Sequence, residues 1–66
     1  MEIFVNGRSR QLEREISITD LIKSLDLRPD RCAVERNQNL VKRSEWENTI
    51  LSDRDQIEIV QFVGGG

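Results

Sequence analysis

"QIEIVQFV", residues 56–63, is the longest strand signal in the chain. Ile57 and Ile59 share one parity, and Val60 and Phe62 share the other. Successive side chains of a strand leave on opposite faces, so this segment is apolar on both. Two arrangements meet that pattern. Either the strand is central and covered on both sides, or one covered face is backed by a sticky outer face. The choice turns on how much covering material the rest of the chain supplies.

It supplies one helix, "EISITDLIKSLDL" (15–27). Ser17 suits the N-cap, and Asp20 completes an S-x-x-[DE] capping box. Ile16 and Leu21 stand where a hydrophobic staple joins. Ile18, Leu21, Ile22 and Leu25 form one apolar stripe. Pro29 and Asp30 keep the chain from continuing as helix. One helix covers one face of a sheet, so the second arrangement is preferred. Ile57 and Ile59 point inward, and Val60 and Phe62 point outward alongside Phe4.

Phe4 belongs to the opening strand, "MEIFV" (1–5), where Met1, Ile3 and Val5 take one parity and Glu2 and Phe4 the other. Asn6-Gly7 is the strongest short hairpin signal, with "RSRQLE" (8–13) returning. A two-residue turn would put Arg8 and Arg10 on the face of Val5 and Ile3, so a longer loop or a bulge is expected. "CAVER" (32–36) reads as a short strand, "NQN" (37–39) as a turn and "LV" (40–41) as another short strand. "SEWE" (44–47) reads as one helical turn capped by Ser44 and Glu47, and "SDRD" (52–55) as a turn. This order predicts an α+β domain with one mixed sheet of four to five strands around one main helix. The first and last strands lie side by side in its middle.

At 66 residues the chain is one domain with a thin core and no deep interior pocket. Ten basic and twelve acidic residues give a net charge of −2. Eight of the basic residues are Arg, but they are scattered, which reads as solvated surface and speaks against a nucleic-acid module. With one cysteine and no histidine, neither an internal disulfide, a conventional zinc site nor a Cys–His or Ser–His nucleophile can be built. A reducing, cytoplasmic setting fits, with no membrane span and no leader segment. Cys32, inside a strand signal, reads as a small core hydrophobe and not as a sulfur relay. Trp46 reads as a lid over one end of the core. The pairs Glu13 with Glu15 and Asp53 with Asp55 fall in turn-like stretches and read as solvated. Phe4, Val60 and Phe62 form a partner face or are covered by a loop. The folded body is expected over 1–63, followed by a flexible tail at Gly64, Gly65 and Gly66, because glycine offers no side chain to pack.

Taken together, these stretches resemble the ubiquitin-like β-grasp fold. More closely, they resemble the ThiS family, the sulfur carriers of thiamine thiazole synthesis. That family runs strand, "NG" turn, strand, a helix of the type "T-[VI]-x-x-L-L", then "VAV…N…V-P-R-x-x-W", "D-G-D-x-I-E-I-V" and a di-glycine end. The matching stretches here are Asn6-Gly7, "SITDLIKSL" (17–25), "CAVERNQNLVKRSEW" (32–46), "DRDQIEIV" (53–60) and "FVGGG" (62–66). The likeness spans the whole chain. It rests on the combination of length, the placement of Trp46, "IEIV" and a chain that stops on Gly66. Lys42 stands where the family often has Pro, and Arg54 where it often has Gly. A left-handed backbone at Arg54 would cost roughly 1 kcal/mol.

The resemblance implies a protein co-substrate, not an enzyme. It implies a ThiF-type adenylating enzyme that uses ATP to activate the carboxylate of Gly66, with no cofactor bound to the carrier itself. It implies conversion to a thiocarboxylate with sulfur from a donor such as a cysteine desulfurase, and delivery to a ThiG-type thiazole synthase. Gly64 and Gly65 would form the thin lead into a narrow site, with three extended residues reaching roughly 10 Å. Phe4, Val60, Phe62 and Val63 would meet the partner. The related small subunit of molybdopterin synthase, a lysine-conjugated modifier and a plain ubiquitin-like interaction module are the competing readings. The molybdopterin relatives are usually longer, with prolines near the tail, whereas Pro29 is the only proline here.

Overall fold

The computed structural model describes residues 1–63, and the expected glycine tail at 64–66 lies outside the described residues. Five strands form one sheet in the order β2-β1-β5-β3-β4. They are β1 (Glu2–Val5), β2 (Arg8–Gln11), β3 (Cys32–Arg36), β4 (Asn39–Val41) and β5 (Gln56–Gln61). The β1–β5 pair at the centre is parallel, and the other neighbours are antiparallel. One helix, α1 (Ile18–Ser24), covers one face, and 3-10 turns at Pro29–Arg31 and Arg43–Asn48 close the sides. This is the expected β-grasp architecture, with the first and last strands in the middle.

Both β1 and β5 bury one parity and expose or half-expose the other. Ile3 and Val5 of β1 and Ile57 and Ile59 of β5 meet Ile18, Leu21 and Ile22 of α1 in the core, together with Leu51 and Val34. Cys32 is buried and unpaired there, as a small hydrophobe. Trp46 is buried at one end, with its indole N–H donating to the Val41 carbonyl at 2.9 Å.

The start of α1 follows the capping signal. The Ser17 hydroxyl accepts from the Asp20 N–H at 3.1 Å, and the Asp20 carboxylate accepts from the Ser17 N–H at 3.4 Å. Its end does not wait for Pro29. Asp26 adopts a left-handed backbone (φ 57°), and the N–H groups of Asp26 and Leu27 turn back to the carbonyls of Lys23 and Ile22. This double closure satisfies the last carbonyls and stops the helix at Ser24, with Leu25 as its C-cap. Pro29 instead opens the next 3-10 turn.

Three further expectations are corrected. The β1–β2 connection is the simple two-residue turn: Val5 pairs with Arg8, and Asn6 and Gly7 both have positive φ. Arg8 and Arg10 therefore do lie on the inward parity. They stay exposed because β2 is the sheet edge and the seven-residue helix does not reach across it. Ser44 and Glu47 cap nothing: Lys42 holds the N-cap place of that turn, without a side-chain hydrogen bond. Lys42 has φ −61° and ψ 144°, the conformation that proline favours.

Asp55, expected on the surface, is buried. Its carboxylate accepts from the Ser52 N–H and the Arg36 Nε at 2.8 Å each, and from the Asn37 Nδ2 at 3.1 Å. Burial pushes this carboxyl's pKa up, but the Ser52 amide, the Asn37 amide and the Arg36 guanidinium outweigh that and hold it below the usual carboxylate range. The cluster ties the turn before β5 to the β3–β4 turn.

Candidate functional site

The candidate site is the end of β5 and the outward face beside it. Val60 pairs with Ala33 of β3, and Cys32 pairs with Gln61. The Phe62 N–H then donates to the Arg31 carbonyl at 2.7 Å, which carries the pairing one residue past the strand. That bond anchors Phe62 to the turn before β3, and the following Val63 stands open to solvent. Val60 is 56% exposed, Phe62 57% and Val63 90%. Three apolar residues left open within four positions, at and just past the end of a central strand, are unusual for a domain with so small a core.

The β3–β4 hairpin extends this patch. Asn37 and Gln38 make a two-residue turn with positive φ at both, which sets Leu40 opposite Glu35 on the outward parity. Leu40 is 69% exposed. Ala33, Leu40, Lys42, Arg43 and Phe62 line one shallow cleft of about 250 Å³. Leu40 and Ala33 were not among the residues expected here. The "NQN" turn could have found them, since a two-residue loop fixes which strand positions face each other.

Phe4 shares the outward face but not the patch. It pairs with Gln56, and β1 ends at Val5, level with Ile57. Val60 lies four positions beyond Gln56 on β5, about 13 Å along the strand. Phe4 is half-buried, and Glu58 stands between it and Val60. Glu58 is itself directly opposite Glu35, so two carboxylates border the apolar patch side by side.

No three His, Cys, Asp or Glu side chains gather as metal donors among the described residues. No helix of the structure is long and apolar enough to cross a membrane. Gly64, Gly65 and Gly66, the residues expected to carry the chemistry, lie outside the described residues. The described part of the site is an apolar surface bordered by the Glu35 and Glu58 carboxylates.

The ThiS family matches this sequence over residues 3–66. The chain belongs to the ThiS family. The sulfur carrier protein ThiS of Escherichia coli (strain K12) is 33% identical over 66 residues, spanning all of both chains. That of Bacillus subtilis (strain 168) is 38% identical over 63 residues, spanning 94% of this chain and 96% of its own. A thiazole synthase of Magnetococcus marinus is 38% identical over 66 residues, but the chain spans only 20% of that protein's length. The crystal structure of a thiamine biosynthesis protein (ThiS) from Geobacter metallireducens superposes with a TM-score of 0.85 at 28% identity, covering all of both chains. The β-grasp assignment thus rests on fold as well as on sequence.

Proposed function

We propose that this family member is the sulfur carrier of a thiamine-type thiazole synthesis. In this reading the Gly66 carboxylate attacks the α-phosphorus of ATP on a ThiF-type activating enzyme, and pyrophosphate leaves. The outer sulfur of a persulfide, formed by a donor such as a cysteine desulfurase, then attacks the acyl carbon and displaces AMP. A thiol reduces the resulting acyl disulfide, releasing the thiocarboxylate and leaving a disulfide between the two thiols. A ThiG-type thiazole synthase takes that sulfur. The carrier contributes a handle and a docking surface, and the partners contribute the catalysis.

The observation that carries this reading is the end-to-end likeness to two proteins named as sulfur carriers. The relatives named thiazole synthase, whose length this chain matches only in part, support an association between the two activities. The physical chemistry agrees. An α-carboxylate is ionised at neutral pH and is a competent oxygen nucleophile once positioned. Acyl-adenylates and thioacids hydrolyse, so a slim, side-chain-free lead through Gly64 and Gly65 suits a narrow, dry partner site. Val60, Phe62 and Val63, with Leu40, provide the apolar surface from which that lead departs.

The test is mass spectrometry after incubation with ATP, the activating enzyme and a sulfur donor. The expected product carries one oxygen-to-sulfur exchange on Gly66. Deleting Gly66 keeps a carboxylate of the same kind but draws it back about 3.5 Å. A misplacement of even about 1 Å can cost a hundredfold in rate. The truncated protein should fold and dock yet gain no sulfur. Thiocarboxylation of the truncated form at the full rate would overturn the mechanism and favour a plain interaction module.

A further inference from the structure

The helix side of β2 carries a groove that the carrier reading does not use. Val5, Ile59, Leu25 and Leu27 line it together with Arg8 and Arg10 and the polar Asn6, Ser9 and Gln61, and its volume is about 620 Å³. The two-residue turn places the arginines opposite Val5 and Ile3, on the parity that is apolar in the neighbouring strands. Both are exposed, and neither joins an ion pair among the described residues. In a chain of net charge −2 they are a local positive site beside the apolar side chains of Val5, Ile59, Leu25 and Leu27.

The same strand is an open edge. Val5 with Arg8 and Ile3 with Arg10 are the closely bonded pairs of the hairpin, and the Leu12 N–H continues the series to the Met1 carbonyl at 2.8 Å. The backbone groups of Ser9 and Gln11 therefore point away from the sheet. A second copy is a poor match for this edge. Pairing β2 with β2 would set arginine against arginine, and like charges opposite one another are destabilising. A polynucleotide would need a broader basic surface than two side chains.

We propose that this edge and groove receive an extended acidic segment of a partner protein. The segment adds as a sixth strand beside β2, bonding to the free backbone groups of Ser9 and Gln11. Carboxylates on its inward parity face Arg8 and Arg10, and an apolar side chain of the same parity lies over Leu25 and Leu27. Backbone pairing supplies the register and the arginines supply the selectivity. The surface lies on the opposite side of the sheet from Val60 and Leu40, so it stands whether or not the carrier reading does.

The probe is the acetylated, amidated peptide Leu-Thr-Glu-Thr-Glu-Thr-Leu, titrated into the full chain and followed by amide NMR. Shifts are expected at Ser9, Gln11 and Leu25–Leu27. R8Q and R10Q should each weaken binding about tenfold, the scale of one charge-assisted hydrogen bond. The double variant R8E/R10E should lose the acidic peptide and gain the peptide in which Lys replaces Glu. Both side chains are exposed, and an unchanged amide spectrum elsewhere checks the fold. Four results would each overturn the proposal. These are no shifts at millimolar peptide, equal binding of the Lys peptide to the unmodified chain, tighter binding of an oligothymidylate, or concentration-dependent dimerisation through β2.

Discussion

Ile57 and Val60 sit three residues apart on one strand and are of the same chemical kind, yet Ile57 is 1% exposed and Val60 56%. The two faces of β5 differ in what stands over them. Inward, α1, Leu51 and Trp46 close over the sheet. Outward, the described residues place no element on top, and Val60, Phe62 and Leu40 meet solvent. Hydropathy alone cannot separate a covered strand face from an open one. Parity together with the amount of available cover can.

The sharpest way to break this contrast is to remove volume on each side in turn. Ile57→Ala should lower unfolding free energy by about 2–4 kcal/mol in urea titration, the cost of lost burial plus a cavity. Val60→Ala should change it by no more than about 0.5 kcal/mol. Similar losses at both sites would mean that the outward face is covered after all.

Asp55 tests the rim between the faces. Asp55→Ala strips Arg36, Asn37 and the Ser52 amide of their shared acceptor, and should cost about 2–3 kcal/mol. The folded state holds this carboxyl below its unfolded range. Its contribution is therefore complete above the ordinary carboxylate pKa and is lost as pH falls through the lowered value. Stability measured between neutral and acidic pH should fall less steeply for Asp55→Asn than for the unmodified protein.

On the outward face the expected effect moves from folding to docking. Phe62→Asp and Leu40→Asp should unfold within about 0.5 kcal/mol of the unmodified protein. The proposed docking to a ThiF-type enzyme, measured by calorimetry, should weaken by about 2 kcal/mol in each variant. Phe4→Asp should weaken docking less than either, since Phe4 stands away from the patch. Unfolding of the Phe62 variant would return that ring to the core.

The smallest effect concerns the acidic border. Glu58→Gln removes a like-charge pair across β5 and β3, and should raise stability by about 0.2–1 kcal/mol at low salt. A loss of stability would show that these carboxylates are satisfied by neighbours.

The general architecture was legible because its signals are local. The capping box at Ser17 and Asp20, the Asn6-Gly7 turn and the parity of Ile57 and Ile59 each depend on residues a few positions apart. Where two local rules met, the reading failed. Arginines on an inward parity seemed to demand a bulge after Asn6-Gly7, but the turn prevailed, because an edge strand beyond a short helix has no core to disturb. Asp53 and Asp55 looked alike in sequence. Only Asp55 lies between Arg36, Asn37 and Ser52, and two of those three come from the β3–β4 hairpin far along the chain.

The apolar outer face divides in the same way. That Val60 and Phe62 point away from Ile57 and Ile59 follows from the two-residue period of a strand, and that one helix cannot cover both sides follows from counting elements. Sequence by itself therefore determined the fold class, the inward stripe and the existence of an exposed apolar set at the end of the last strand. Which residues share that patch was decided only in three dimensions. Leu40 and Ala33 join it and Phe4 does not, because β1 ends level with Ile57 while the β3–β4 hairpin runs alongside the end of β5. Register between distant strands is set by long-range pairing and by where each strand stops, and no local pattern of side chains records either.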